Sequence, residues 1–169
     1  TTTITAGVKT VNNAVSQTSV TVANGAELAV NNSLTAVLNN AGTAGGSASN
    51  FNGAINNAGT LTLTTGTLGQ VISNYNSTNG TTIINGDVIA NANISNNNVT
   101  LTSGTLTLNK GTFNTIGTLT ANGGALSTQN SNTISNTVLG NVSLTSALNL
   151  GIDVNIARSE ERFSRNAET

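Results

Sequence analysis

Residues 59–68 read GTLTLTTGTL, and residues 104–113 read GTLTLNKGTF, with seven of the ten letters unchanged. In each copy leucine alternates with threonine, and a glycine follows. Strict alternation of apolar and polar residues puts one kind of side chain on each face of an extended strand. A strand-and-turn unit used more than once points to a repeat architecture, in which each unit buries its apolar face only by stacking on the next.

The filling available for a core supports this. The chain has 169 residues, no Pro, Cys, Met, His or Trp, and only 2% aromatics. A thick globular core draws on large aromatic and Met side chains. Val, Leu, Ile and Ala suit a thin core repeated many times. Disorder is the competing expectation, because Asn and Thr supply about thirty residues each and Gly 18. Disordered chains combine low hydrophobicity with high net charge. Here 36% of residues are hydrophobic, regularly placed, and the net charge is −1.

Taken in order, Ile4, Val8, Val11 and Val15 have a spacing compatible with a helix, against which their β-branched and Asn neighbours argue. Ser19 to Val22 alternates and ends at Asn24-Gly25, a turn dipeptide. Leu28 and Val30 alternate again. Leu34, Val37 and Leu38 have the spacing of a short helix stopped by Asn39-Asn40. Residues 42–49, GTAGGSAS, are expected to be a loop, and they lack a phosphate-binding GxGxxG. Phe51 and Ile55 re-enter the core, and a polar loop surrounds Tyr75, the lone Tyr, as a loop anchor or a ligand contact. Val20, Leu61, Ile83, Leu106, Leu119 and Val142, taken as unit markers, mostly fit one or two laps of about 20–23 residues.

The expected fold is therefore all-β: a parallel β-solenoid of roughly 7–8 rungs, with Asn and Gly at the corners. Asn side chains at equivalent corners are expected to stack into ladders. The solenoid is expected over residues 1–157. Val142, Leu144, Leu148, Leu150, Ile152, Val154 and Ile156 share one alternating face, which should bend near Ser146 or Gly151. Residues 158–169 hold six of the eleven charged residues and are expected to form a charged cap over the open rung end or a disordered tail. The opening TTTITAG has neither Met nor signal peptide, as expected of a processed chain or a fragment.

With these units, and with SVTVANG at 19–25, GTLTANGG at 117–124 and NVSLTSALNL at 141–150, the chain resembles the passenger region of bacterial autotransporter adhesins. It is also similar to Asn/Thr/Gly-rich surface antigens of rickettsia-like bacteria. The resemblance implies a right-handed β-helix displayed outside the cell, at the bacterial outer surface, usually followed by an outer-membrane β-barrel that is not visible in this sequence. It implies no catalytic residue.

Chemistry is sparse. Ser–His and Cys–His catalysis lack their residues; a Ser–Lys pair has only Lys9 and Lys110, in no motif. Zinc sites lack His and Cys, and calcium repeats of the GGxGxD type lack their Asp. Before the tail the acids are Glu27, Asp87 and Asp153, too far apart by rung count for a glycosidase pair. No enzyme, metal or cofactor is expected. Near-neutral charge argues against nucleic acid, and no apolar run is long enough for a membrane helix. The candidate binding residues are exposed Thr rows: Thr60, Thr62, Thr64, Thr105, Thr107, Thr118 and Thr120, with Thr100 and Thr102. The expected function is a structural or adhesive rod of a cell-surface or secreted protein. It would meet a host surface, glycan or matrix, or copies of itself. The alternative is an ice-binding or self-assembling solenoid that uses the T-x-T rows.

Overall fold

A computed structural model describes residues 1–109, 113–128, 136–145 and 150–151. The strands are short because each is one side of a coil. The first are β1 (Thr2–Ile4), β2 (Gly7–Val11), β3 (Val15–Val22), β4 (Ala26–Val30), β5 (Leu34–Asn40) and β6 (Thr43–Gly46). After one 3-10 turn, Ala48–Asn50, come β7 (Ile55–Asn57), β8 (Thr60–Leu63), β9 (Gly66–Leu68) and β10 (Ile72–Ser73). Next are β11 (Thr81–Asn85), β12 (Val88–Ala90), β13 (Ser95–Ser103) and β14 (Thr105–Leu108). The last are β15 (Phe113–Ala121), β16 (Ala125–Thr128), β17 (Asn136–Leu144) and β18 (Leu150–Gly151).

These strands form three parallel sheets. Sheet I runs β1-β3-β5-β7-β10, sheet II β2-β4-β6-β8-β11-β13-β15-β17, and sheet III β9-β12-β14-β16-β18. The chain alternates between sheets I and II through β8, passes through all three sheets from β7 to β12, and then alternates between sheets II and III, which makes a β-solenoid of about seven turns. Seven steps at the spacing of paired strands give an axial length of roughly 34 Å. Late in the chain β13 and β15 absorb the sheet I side: they pair Ser95 with Thr115 and Val99 with Leu119, with register shifts between.

Register defines the core. Along sheet II the partners Lys9, Leu28, Ala44, Leu61, Thr82, Val99, Leu119 and Val142 form one column. A parallel column holds Val30, Gly46, Leu63, Ile84, Leu101 and Ala121. Sheet I contributes Val20, Leu38, Ile55 and Ile72, and sheet III Val88, Leu106 and Leu126. All of these but Lys9, Gly46, Thr82 and Val142 belong to the buried apolar set. At the first rung the column position of Leu28 is held by exposed Lys9. A charge there blunts an edge that would otherwise template another chain.

Several expectations are corrected. The column steps are 19, 16, 17, 21, 17, 20 and 23 residues, so most laps are shorter than 20–23. Two-residue corners such as Ala41-Gly42 and Ala58-Gly59 keep these laps short. The proposed unit markers mixed sheets: Val20 lies in sheet I and Leu106 in sheet III. Ile83 faces outward in register with Thr62 and Thr100, and its neighbour Thr82 takes the core place. The helix-like spacings at 4–15 and 34–38 belong to β1, β2, β3 and β5, because pairing with adjacent rungs overrides local periodicity. The stretch 42–49 is not a loop over 43–46: β6 is a full sheet II side, with Ala44 buried in its column. The strands on either side of residues 146–149 belong to sheets II and III. The positions from Ile152 onward, including Asp153 and the proposed 158–169 cap or tail, lie outside the described residues, as does Lys110.

Asn ladders form as expected, inside and outside. At the inner end of sheet I, Asn40 Nδ2 donates to Asn57 Oδ1 at 2.8 Å and to the Thr60 carbonyl at 2.9 Å. Asn57 Nδ2 donates to the Thr81 carbonyl at 3.2 Å. Both amides are fully buried. They satisfy backbone carbonyls where the chain turns out of sheet I. On the outer face Asn39, Asn56 and Ser73 form a second series, with bonds of 2.7 and 3.0 Å. Asn109 donates to Asn91, one lap earlier, at 2.6 Å.

Candidate functional site

The proposed Thr rows fall on two sheets. Thr60 and Thr62 lie on β8, Thr118 and Thr120 on β15, all in sheet II. Thr105 and Thr107 lie on β14 in sheet III. Thr64 follows β8, its N–H donating to the Gly46 carbonyl. The two copies of the decapeptide therefore use the same alternation on different sides of the coil. Within sheet II one outward column runs Glu27, Thr43, Thr60, Thr81, Asn98. The next runs Ala29, Gly45, Thr62, Ile83, Thr100, Thr120, Ser143. Three threonines are consecutive in the first, and Thr100 abuts Thr120 in the second. Gly45, Ile83 and Asn98 interrupt the lattice. In sheet III, Thr67, Ile89, Thr107 and Ser127 share a column, in which Ile89 interrupts the hydroxyls.

The carboxylates are not gathered. Glu27 sits on β4 and Asp87 in the turn between β11 and β12, three sheet II steps apart. Three steps are about 14 Å along the axis, beyond the roughly 5–9.5 Å of a glycosidase pair. Asp87 Oδ1 accepts the Thr105 N–H at 2.9 Å, bracing the corresponding turn of the next lap. Among the described residues no three metal-ligating side chains cluster, and no helix is long and apolar enough to cross a membrane.

A concave feature lies at the corner between sheets I and II, where earlier laps turn tightly: Asn24-Gly25, Ala41-Gly42, Ala58-Gly59. In the next lap the chain instead makes an excursion between Ser73 and Gly80. Both ends are fixed. Ser73 Oγ donates to Asn56 Oδ1, and the Gly80 N–H donates to the Asn57 carbonyl at 3.0 Å. At its tip the Thr78 N–H donates to the Tyr75 carbonyl at 3.0 Å, and Tyr75 and Thr78 pair antiparallel. The two residues between, Asn76 and Ser77, have φ of 50° and 59°. Positive φ at both central positions marks a I′-type reverse turn. This small hairpin and the three preceding corners border a wide-open cleft of about 620 Å³. Its floor is made of the small corner residues, and Tyr75, Asn76 and Thr78 wall it on one side. Thr43 and Thr60 extend it toward sheet II.

No protein-family model, curated protein or solved structure matches the chain.

Of these features the Thr alternation and the lone Tyr are visible in the sequence, but the cleft is not. Its only trace is the seven residues between β10 and β11 where earlier laps spend two or three. That the hairpin lies over earlier corners is a consequence of register.

Proposed function

We propose that this chain is a non-catalytic rod segment of a bacterial cell-surface or secreted protein, of the kind found in autotransporter-type passengers. The observation that carries the proposal is the unbroken run of eight parallel strands in sheet II, with one continuous apolar core from Ile4 to Leu126 among the described residues. Such a stack transmits extension along its axis, and each lap needs only its neighbours. Its outward columns offer hydroxyls and amides with few charges, suited to contacts made by hydrogen bonds. Host surface, glycan, matrix or further copies of the chain are the partners that fit this chemistry. Antibody labelling of intact bacterial cells tests the location: labelling is expected without permeabilisation, and labelling seen only after lysis rejects the proposal. Beads coated with the chain should be retained on the target surface, and the Thr60→Asp/Thr62→Asp double variant should reduce retention.

A second reading draws on the consecutive Thr43, Thr60 and Thr81 and the Thr100–Thr120 pair on one sheet. Hydroxyls there repeat at about 4.8 Å between strands and about 7 Å along them, a lattice able to order water or pack against another copy. Thermal hysteresis in dilute solution separates this from adhesion; its absence rejects ice binding.

A further inference from the structure

The excursion between Ser73 and Gly80 adds nothing to the core: Tyr75 is half-exposed, and Asn76, Ser77, Thr78 and Asn79 are exposed. Removing it would leave a corner like those of the three preceding laps. What it adds is one wall of the cleft, and it places there the only tyrosine of the chain. We propose that the cleft binds a short segment of neutral oligosaccharide, with Tyr75 as the surface on which a sugar ring packs.

Four observations select that ligand class. The volume of about 620 Å³ falls within the roughly 300–1,000 Å³ of small-ligand sites. The floor crosses three laps, about 10 Å along the axis, longer than one sugar ring. The walls combine an aromatic ring, which offers an apolar face and a polar tip, with Asn24, Thr43, Thr60, Asn76 and Thr78. Amides and hydroxyls both donate and accept, as sugar hydroxyls require. No charged residue lines the cleft among the described residues, so an anionic glycan gains no charge-assisted bond. A peptide adding as a strand requires free backbone groups. Here the corner groups are tied between laps: the Ala58 and Gly59 N–H groups both donate to the Asn40 carbonyl, at 2.8 and 3.1 Å.

The inference deepens the adhesive part of the proposed function and rests on it for where the ligand is met. A surface rod that ignores sugars would still label on intact cells, so the two fail separately. Because the chain has one Tyr and no Trp, its tyrosine fluorescence reports Tyr75 alone. The intact chain is titrated with cellohexaose, mannohexaose and chitohexaose, and with hexagalacturonate as the anionic counterpart. At least one neutral hexasaccharide is expected to shift Tyr75 emission saturably. Calorimetry with Tyr75→Ala should then show affinity lowered about tenfold or more, as for a central aromatic anchor. Asn24→Ala, which removes an exposed amide from the lining at the corner farthest from the hairpin, should also weaken binding and decides the matter if Tyr75→Ala does not fold. No saturable shift and no heat with any neutral sugar overturns the proposal. So does equal or tighter binding of hexagalacturonate, or affinity unchanged in both variants.

Discussion

Thr82→Val is expected to stabilise the protein. Thr82 stands in the inward column between Leu61 and Val99, its side chain is fully buried, and its Oγ1 has no hydrogen-bond partner. In the unfolded chain that hydroxyl bonds to water; in the fold it bonds to nothing. Leaving a buried donor or acceptor unmade costs about 1–3 kcal/mol. Valine has nearly the same shape, removes the penalty, and buries a methyl worth about 0.8 kcal/mol more. Part of the gain is lost to imperfect fit, because the hydroxyl site is shaped for oxygen. The net expectation is about 1–2 kcal/mol of added stability.

For a chain of 150–250 residues each kcal/mol moves the melting temperature by about 2–4 °C, so the midpoint should rise by about 2–8 °C. Circular dichroism melts of the wild type, Thr82→Val and Thr82→Ser form the test. Serine keeps the hydroxyl and loses the methyl, and should lie below wild type, giving the order Val above Thr above Ser. A lower midpoint for Thr82→Val, in a variant whose spectrum is native, would mean that the hydroxyl is satisfied in solution. That result would refute the reasoning and the assignment of Thr82 to the core column.

Asn57→Ala removes the acceptor of the Asn40 amide, a buried bond, and the donor to the Thr81 carbonyl, a part-buried one; a loss of about 1–3 kcal/mol is expected in chemical denaturation. Gly104→Ala places a Cβ 2.3 Å from the Gly86 carbonyl carbon at a φ of +67°; backbone strain of at least about 1–3 kcal/mol should lower the melting midpoint, and a midpoint unchanged within error would contradict the stacking of these corners. Ala44→Leu overfills the column between Leu28 and Leu61, where laps are shortest, and should cost about 1–3 kcal/mol in the same melts.

Strand positions were legible wherever alternation was clean. Leu61 and Leu63, or Leu106 and Leu108, announce an inward face because threonines flank them. The phase was illegible at Ile83-Ile84, where two adjacent apolar residues allow either face inward, and where the chain buries Thr82 instead. β6 was illegible for a different reason. A side of TAGG carries no hydrophobic signal, yet short laps leave room for little more than Ala44 in that column. The identity of the two decapeptides misled about equivalence, because a glycine followed by alternating Thr and Leu serves equally after the corner into sheet II or the corner into sheet III. Register between laps, which decides these matters, is a property of pairs of segments and leaves no mark within either one.

The same stacking explains why the cleft lies where it does. At the corner between sheets I and II the inner positions are taken by Asn40 and Asn57, whose amides bond to carbonyls of the sheet II strand one lap on. The outer positions must then be small: a Cβ on Gly59 would come within 2.0 Å of the Gly42 carbonyl oxygen. Gly42 and Gly59 are thus demanded by the close stacking of these corners whether or not anything binds there. A row of small residues is only a shallow trough; it becomes a cleft when one lap supplies a wall. The chain does this with a single excursion tied down at Ser73 and Gly80, accepting positive φ at Asn76 and Ser77. Asn tolerates that conformation better than most residues, and serine less well. In a solenoid each lap contacts only its neighbours, so such an insertion leaves the stacking of the rest intact. The solenoid therefore carries a cleft at one corner without altering the core beneath it.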